Sequence, residues 1–313
     1  MLALSTRCGS IRGEMDMTEA PAPAPGGATR EFGIQIIQTW TWPETRERMK
    51  WFESLGFESL WLTDHLTRTA NPGEPYLEAW TLLSALAIEI EQARLGVLVS
   101  SNTFRHPSVL AKMAVTVDHI SNGRLELGIG AGWFKTEHEM FGLDFPETGE
   151  LVERYAEALD LLDRFLTNDV TTFHGEYYSL QDAPNRPPPV QQPRMPIMIG
   201  AHGPRMIRLA ARYADTWNTR GTPEEVRQRN LLMDEACGAI ERDPGEVKRS
   251  LLYVIAQMPE ERPWDSVDAF VDFVGRFSEA GVQQFIVQPP DPSEFAMVER
   301  VAQDVIPSLR TGA

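Results

Sequence analysis

From Phe32 onward the chain repeats one unit eight times, a short apolar run followed by a longer segment with helical periodicity. The short runs are Phe32–Ile37, Ser59–Leu62, Arg94–Ser100, Leu125–Ile129, Pro196–Ile199, Asp215–Asn218, Leu251–Ala256 and Gln284–Gln288. The periodic segments after them are 43–55, Tyr76–Ile90, Ser108–Ile120, Glu150–Leu166, Gly203–Tyr213, Pro223–Ile240, Ser266–Ala280 and Ser293–Val305. Pro43 opens the first of these helices and Gly56 ends it. In the fourth, Leu151, Tyr155, Leu159, Leu162 and Phe165 fall on one face. Strictly alternating strands and helices predict an α/β protein with a parallel sheet. Eight pairs are what a closed (β/α)8 TIM barrel needs, whereas an open doubly wound sheet usually stops at about five to seven strands.

The rhythm breaks once. Thr171–Leu180 reads as a hairpin, and Pro184, Pro187, Pro188, Pro189 and Pro193 keep the following stretch extended. Residues 170–192 are therefore expected to be an insertion between the fourth strand–helix pair and the fifth strand, within a single domain over 31–313. Residues 1–30 read as a disordered tail, since Pro21, Pro23, Pro25, Gly26 and Gly27 support neither helix nor strand. A secretory signal does not fit, because Glu14, Asp16 and Glu19 interrupt any apolar core there. Met15 and Met17 are alternative starts.

The length of 313 residues is long for an ordinary domain and normal for such a barrel. A net charge of −16 disfavours nucleic acid as a partner, because phosphates would be repelled. The two cysteines, Cys8 and Cys237, allow at most one bridge, and no apolar run is long enough for a membrane span. The composition reads as that of a soluble, cytoplasmic protein with a large core.

In barrels of this type chemistry gathers at the C-terminal ends of the strands. Asp64-His65 follows the second strand, where His65 could serve as an acid/base that Asp64 orients or charges. The plainer reading is a histidine that satisfies loop backbone groups. His106, His119 and His174 are read as structural or surface residues. No metal is expected, since Gly142 fills the second ligand position after His138-Glu139. There is no Gly-x-Ser-x-Gly elbow, and Cys237 lies inside a helix, buried and inert. Gly128-Ile129-Gly130-Ala131-Gly132-Trp133 closes the fourth strand without the third glycine of a dinucleotide fingerprint. It either admits a flat ring close to the backbone or makes a tight turn. Gly200-Ala201-His202-Gly203-Pro204 leads into a helix N-terminus, a plausible cradle for a phosphate to which Arg205 could add a cation.

Two stretches carry a family likeness: Asn102-Thr-Phe-Arg-His-Pro with Asp118 through Trp133, and Ile199 through Pro204 with Ala210 through Trp217. From Phe32 to about Trp217 the chain resembles the bacterial-luciferase-like superfamily, in particular its coenzyme F420 (deazaflavin)-dependent oxidoreductases. The resemblance implies a barrel whose insertion lies over the active-site mouth, with a ring cofactor at the strand ends. It implies a non-proline cis peptide within Leu98, Val99, Ser100 and Ser101, behind the ring. Cofactor contacts are then expected from Leu98 to Asn102, from Gly130, Ala131 and Gly132, and from Gly200, Ala201, His202 and Gly203. Asp64-His65 favours the deazaflavin, because FMN-using relatives more often carry Glu-His-His there.

Two departures stand out. Dehydrogenases of this branch place a proton-donating glutamate where this chain has Trp133, and a tryptophan where it has Thr69. Their mechanism is not carried over whole. Glu137, one helical turn past Trp133, is the candidate substitute, and Trp133, Glu137 and Trp40 are placed in the substrate pocket.

The expected function is hydride transfer between the deazaflavin ring and a small organic substrate, with His65 as acid/base. The alternative is an FMN-dependent monooxygenase using oxygen and a partner reductase, and a remote one is a non-catalytic flavin-binding protein. Relatives are frequently dimers, and the apolar helices near 80–90 and 108–120 could pack across a two-fold. The same apolar pattern arises when a helix packs only on its own barrel.

Overall fold

Alternate residues of each strand face opposite sides, and here the two sides meet different surroundings. Phe32, Ile34, Leu60, Leu62, Leu95, Val97, Leu125, Leu127 and Ile129 all join the core between strands and helices. Their neighbours point into the centre of a closed ring. The structure, a computed structural model, describes residues 29–310. Nearly all of the expected tail, with both alternative starts and Cys8, lies outside the described residues.

The ring is built from β1 (Glu31–Gln35), β2 (Ser59–Leu62), β3 (Arg94–Val97) with its continuation β4 (Ser100–Ser101), and β5 (Leu125–Gly130). After an antiparallel hairpin of β6 (Val170–His174) and β7 (Ser179–Pro184) come β8 (Ile197–Gly200), β9 (Thr216–Thr219), β10 (Lys248–Tyr253) and β11 (Gln284–Val287). All barrel neighbours pair in parallel, β1 with β11 at one side and β3 with β5 at the other, which closes a (β/α)8 barrel. The helices are α1 (Trp42–Ser54), α2 (Ala79–Glu89), α3 (Pro107–Ile120), α4 (Lys135–Phe141) and α5 (Thr148–Thr167). They continue with α6 (Pro204–Tyr213), α7 (Pro223–Gly238), α8 (Val267–Glu279), α9 (Phe295–Asp304) and α10 (Ile306–Arg310). None of the described helices is long and apolar enough to cross a membrane.

The barrel interior is filled in layers. At the N-terminal end lies a polar plug, in which Lys248 Nζ donates to both carboxylate oxygens of Glu31 at 2.7 and 2.8 Å. Beside it the fully buried Glu126 accepts from Thr216 Oγ1 and faces Arg94. Burial pushes the Glu126 carboxyl above its ordinary value, and Arg94 only partly offsets this. Above the plug stands Trp61, fully buried, its indole N–H held by Ser59 Oγ at 2.9 Å. A side chain this large leaves no room on the neighbouring strand β3, at its register partner Gly96. A Cβ at Gly96 would lie 2.7 Å from Trp61 Cε3 and 2.6 Å from the Glu126 carbonyl oxygen.

Three expectations need correcting. The seventh strand spans 248–253 instead of 251–256, because its polar start supplies Lys248 and Ser250 to the barrel interior. The second helix starts at Ala79, capped by the Glu78 carboxylate, which leaves Tyr76 in the preceding loop. The 170–192 segment lines no part of the cavity at the C-terminal strand ends. Its hairpin is fastened to α5, where the Glu157 carboxylate accepts the N–H groups of Glu176, Tyr177 and Tyr178. Its extended part runs past Asp118 of α3, which accepts from Val190 and Gln191.

Gly96→Ala is expected to destabilise the fold by about 1–3 kcal/mol through overpacking against Trp61 and the β5 backbone. Urea unfolding of the variant beside the parent chain measures this.

Candidate active site

At the C-terminal end of the strands the layers stop and a cavity of about 520 Å³ opens, with residues from all eight barrel strands or the loops after them in its wall. Its size suits a drug-sized or cofactor ring ligand. The floor includes Leu98, Val99 and Leu252, and the peptide bond between Leu98 and Val99 is cis and not to a proline. The Leu98 carbonyl accepts from Gln35 Nε2 at 2.8 Å, which ties this bulge to β1. Val99 leans on β5, where a Cβ at Gly130 would lie 2.6 Å from Val99 Cγ2. The room beside Gly130 is therefore taken by the bulge, and it is Val99 that faces the cavity. Gly132, at φ +94°, makes the turn away from the strand.

His65 stands on the cavity wall at the end of β2, about one-fifth exposed. Its partner is not Asp64. Nδ1 lies 2.9 Å from Glu137 Oε2, and the other oxygen of Glu137 accepts the backbone N–H of Leu66 at 2.7 Å and of Thr67 at 3.1 Å. Burial alone would raise the Glu137 carboxyl. The His65 hydrogen bond and charge, with the two backbone donors, outweigh burial and hold it below the ordinary carboxylate value. An ionised Glu137 fixes the Nδ1–H tautomer, so Nε2 is the ring atom left without a protein partner among the described residues. Trp133 and Phe134 meet the imidazole edge-on at ring separations of 5.8 and 6.3 Å.

Asp64 has a different duty from the one expected. It is buried and grips Arg105 through two bonds of 2.6 and 2.9 Å, and it accepts the Ser101 N–H at 2.7 Å. This pair clamps the end of β2 to β4 and to the loop before α3. Nearby, His138 is buried, with Nδ1 on the Phe134 carbonyl and Nε2 on Thr103 Oγ1, which in turn touches Ser101 Oγ.

On the far side, Gly200–Gly203 lead into α6, whose first turn has Pro204 at its start and no side-chain cap. The Ala201 N–H is used by the Asn218 carbonyl, so the free donors of this turn come from the helix itself. His202 is held by Thr219 Oγ1, and burial, with Arg220 and Arg229, pushes its ring down to about 4. Arg220 lines the cavity here. Burial and the neighbouring Arg229 lower its guanidinium below the ordinary value, and its side chain has no hydrogen-bond or ion-pair partner among the described residues. Sequence reading missed Arg220, which no motif marks.

Leu98 to Ser101, Gly130 to Trp133, Glu137 and Gly200 to Gly203 all line the cavity with Asp64 and His65. Two expected residues do not. Asn102 turns away, its Nδ2 donating to the Tyr178 hydroxyl. Trp40 packs outside the wall, under Arg48 and against Phe295. Arg205 stands half-exposed and pairs with Glu153, facing away from the cavity wall.

A family model described as luciferase-like monooxygenase matches residues 22–298. The F420-dependent glucose-6-phosphate dehydrogenase of Microbacterium testaceum (strain StLB037) is 32% identical over 212 residues, which cover 66% of this chain and 62% of that protein. The similarly named protein of Beutenbergia cavernae is 27% identical, covering 82% of this chain and 90% of its own length. Among solved structures, the coenzyme F420-dependent tetrahydromethanopterin reductase of Methanopyrus kandleri superposes with a TM-score of 0.76 at 20% identity, covering 90% of this chain and all of its own.

The depressed His202 ring gives a pH test. Between its ordinary value of 6.5 and about 4 the unfolded chain binds a proton at this position that the folded chain refuses. Stability therefore falls as pH drops through that window. His202→Gln should remove that part of the slope, read by urea unfolding at pH 7.5 and 4.5.

Proposed function

The chain belongs to the luciferase-like monooxygenase family, and on that premise we propose that it is a coenzyme F420-dependent oxidoreductase acting on a small organic substrate. The observation that carries the proposal is the His65–Glu137 pair, buried on its carboxylate side and open to the cavity through Nε2. The names of the F420-dependent relatives support the choice of cofactor.

The residues present fit such a group. The Val99 bulge offers a flat apolar wall, and an unpaired Arg220 beside an uncapped helix start offers donors and charge for a phosphate. When bound, the deazaflavin supplies a ring carbon that gives or takes a hydride. The protein does the rest. His65 Nε2 would take the proton of a substrate hydroxyl as the substrate carbon bearing it gives up a hydride to the cofactor and becomes a carbonyl, and would return that proton in the opposite direction. Glu137 holds Nδ1–H and stabilises the imidazolium that forms, while Trp133 and Phe134 narrow the approach to the ring.

The first test is a fluorescence titration of the protein with oxidised F420 and, separately, with FMN. Tighter binding of F420 is expected, and tighter binding of FMN would favour the oxygen-using alternative. Arg220→Gln should weaken F420 binding by about tenfold. His65→Ala should lower turnover by about a hundredfold while F420 still binds. Glu137→Gln should lower it less and displace the acid limb of the pH–rate profile, a change that a merely structural carboxylate would not produce.

A further inference from the structure

We propose, resting on the cofactor reading above, that the substrate of this site is an uncharged molecule with a flat or apolar face, not a phosphorylated one. The cations around the cavity, and the partners each one has, carry it.

Two guanidinium groups line the cavity, Arg68 and Arg220. In the ring of eight strands β9 stands opposite β2, so Arg220, just after β9, lies across the barrel from His65, just after β2. Arg220 shares its end with His202 and the start of α6. Arg68 is on the His65 side and is already neutralised by an ion pair with Glu74. The neighbouring Arg105 is held by both oxygens of Asp64. Neither His202 nor the backbone near His65 adds charge: the His202 ring is neutral above about pH 4, and the Leu66 and Thr67 N–H groups are spent on Glu137.

Among the described residues the cavity therefore has one unpaired cation, at the end remote from the acid/base. A cofactor phosphate on Arg220 and α6 leaves nothing for a second dianion. At the His65 end such a dianion would meet the Glu137 carboxylate, while the Arg68–Glu74 and Arg105–Asp64 pairs offer it no net positive charge, in a chain of net charge −16. What that end does offer is aromatic surface. Trp133 is 62% exposed at the rim, tilted against Phe134 at 5.1 Å, with the imidazole edge below. A planar or apolar substrate can lie on that shelf with one carbonyl or hydroxyl at Nε2.

The relatives named for glucose 6-phosphate provide the contrast ligand. F420-loaded protein is titrated by calorimetry with glucose 6-phosphate and with two neutral carbonyl probes, cyclohexenone and benzaldehyde. The expected result is saturable binding of at least one neutral probe, weakened about three- to tenfold in Trp133→Ala, and no binding of glucose 6-phosphate. Saturable binding of glucose 6-phosphate overturns the inference, as does neutral-probe binding that ignores Trp133→Ala or is absent. Because loading with F420 is measured first, failure to load counts against the cofactor reading, whereas failure after loading counts against this inference alone.

Discussion

The site depends on how the barrel interior is filled. Trp61 occupies the middle of the barrel, and the neighbouring strand makes room for it with Gly96, its register partner. Below it the Glu31–Lys248 and Glu126–Thr216 contacts satisfy the polar groups that the strands bring inward. Interior space runs out at Leu98–Val99, where β3 bulges before resuming as β4, and Gly130 supplies the gap that Val99 fills. A larger residue at position 130 would collide with the bulge and disturb the cavity floor. The glycines of this strand end thus serve the protein's own packing first, and the ligand indirectly.

A second constraint is charge. With 45 acidic and 29 basic residues, anion recognition has to be local. Most cations near the cavity are committed: Arg105 to Asp64, Arg68 to Glu74, Arg229 to the Arg220 carbonyl and Glu225. Arg220 is left over, at the helix start where backbone N–H groups already favour negative charge. His65 sits across the ring from it, so an anionic group at Arg220 and a ligand at His65 would not compete for the same groups.

The barrel was legible in the sequence because its outward-facing strand residues are aliphatic and its helices are long enough to show a period, as in Leu151, Tyr155, Leu159, Leu162 and Phe165. Legibility failed where local and tertiary signals differ. The start of β10 reads as polar because Lys248 and Ser250 answer to the barrel interior. Tyr76 looks like the first residue of α2, yet Glu78 caps that helix and leaves Tyr76 in the cavity wall. Helix α4 has seven residues, too few to display a period, and it carries Glu137 to a partner 72 positions away. Arg220 carries no motif, and its significance appears only once the ring closes and the neighbouring Arg68, Arg105 and Arg229 are seen to be paired. Trp40 is expected in the substrate pocket, but the chain turns there into the α1 cap and packs the indole against Phe295 and Arg48.

The adjacency of Asp64 and His65 invites the view that they act as a pair, and the geometry argues for a division of labour instead. Two ionised carboxylates facing one imidazole inside a protein would repel each other strongly. Arg105 removes that conflict by taking both oxygens of Asp64, which leaves Glu137 alone to set the tautomer of His65. The arrangement also gives Asp64 a structural duty beside the cavity. Its Ser101 bond and its Arg105 pair hold the ends of β2 and β4 together, and removing one member of such a buried pair typically costs about 3–5 kcal/mol. Through Glu137 a short helix placed after a glycine turn has thereby become the orienting element for a histidine at the end of another strand.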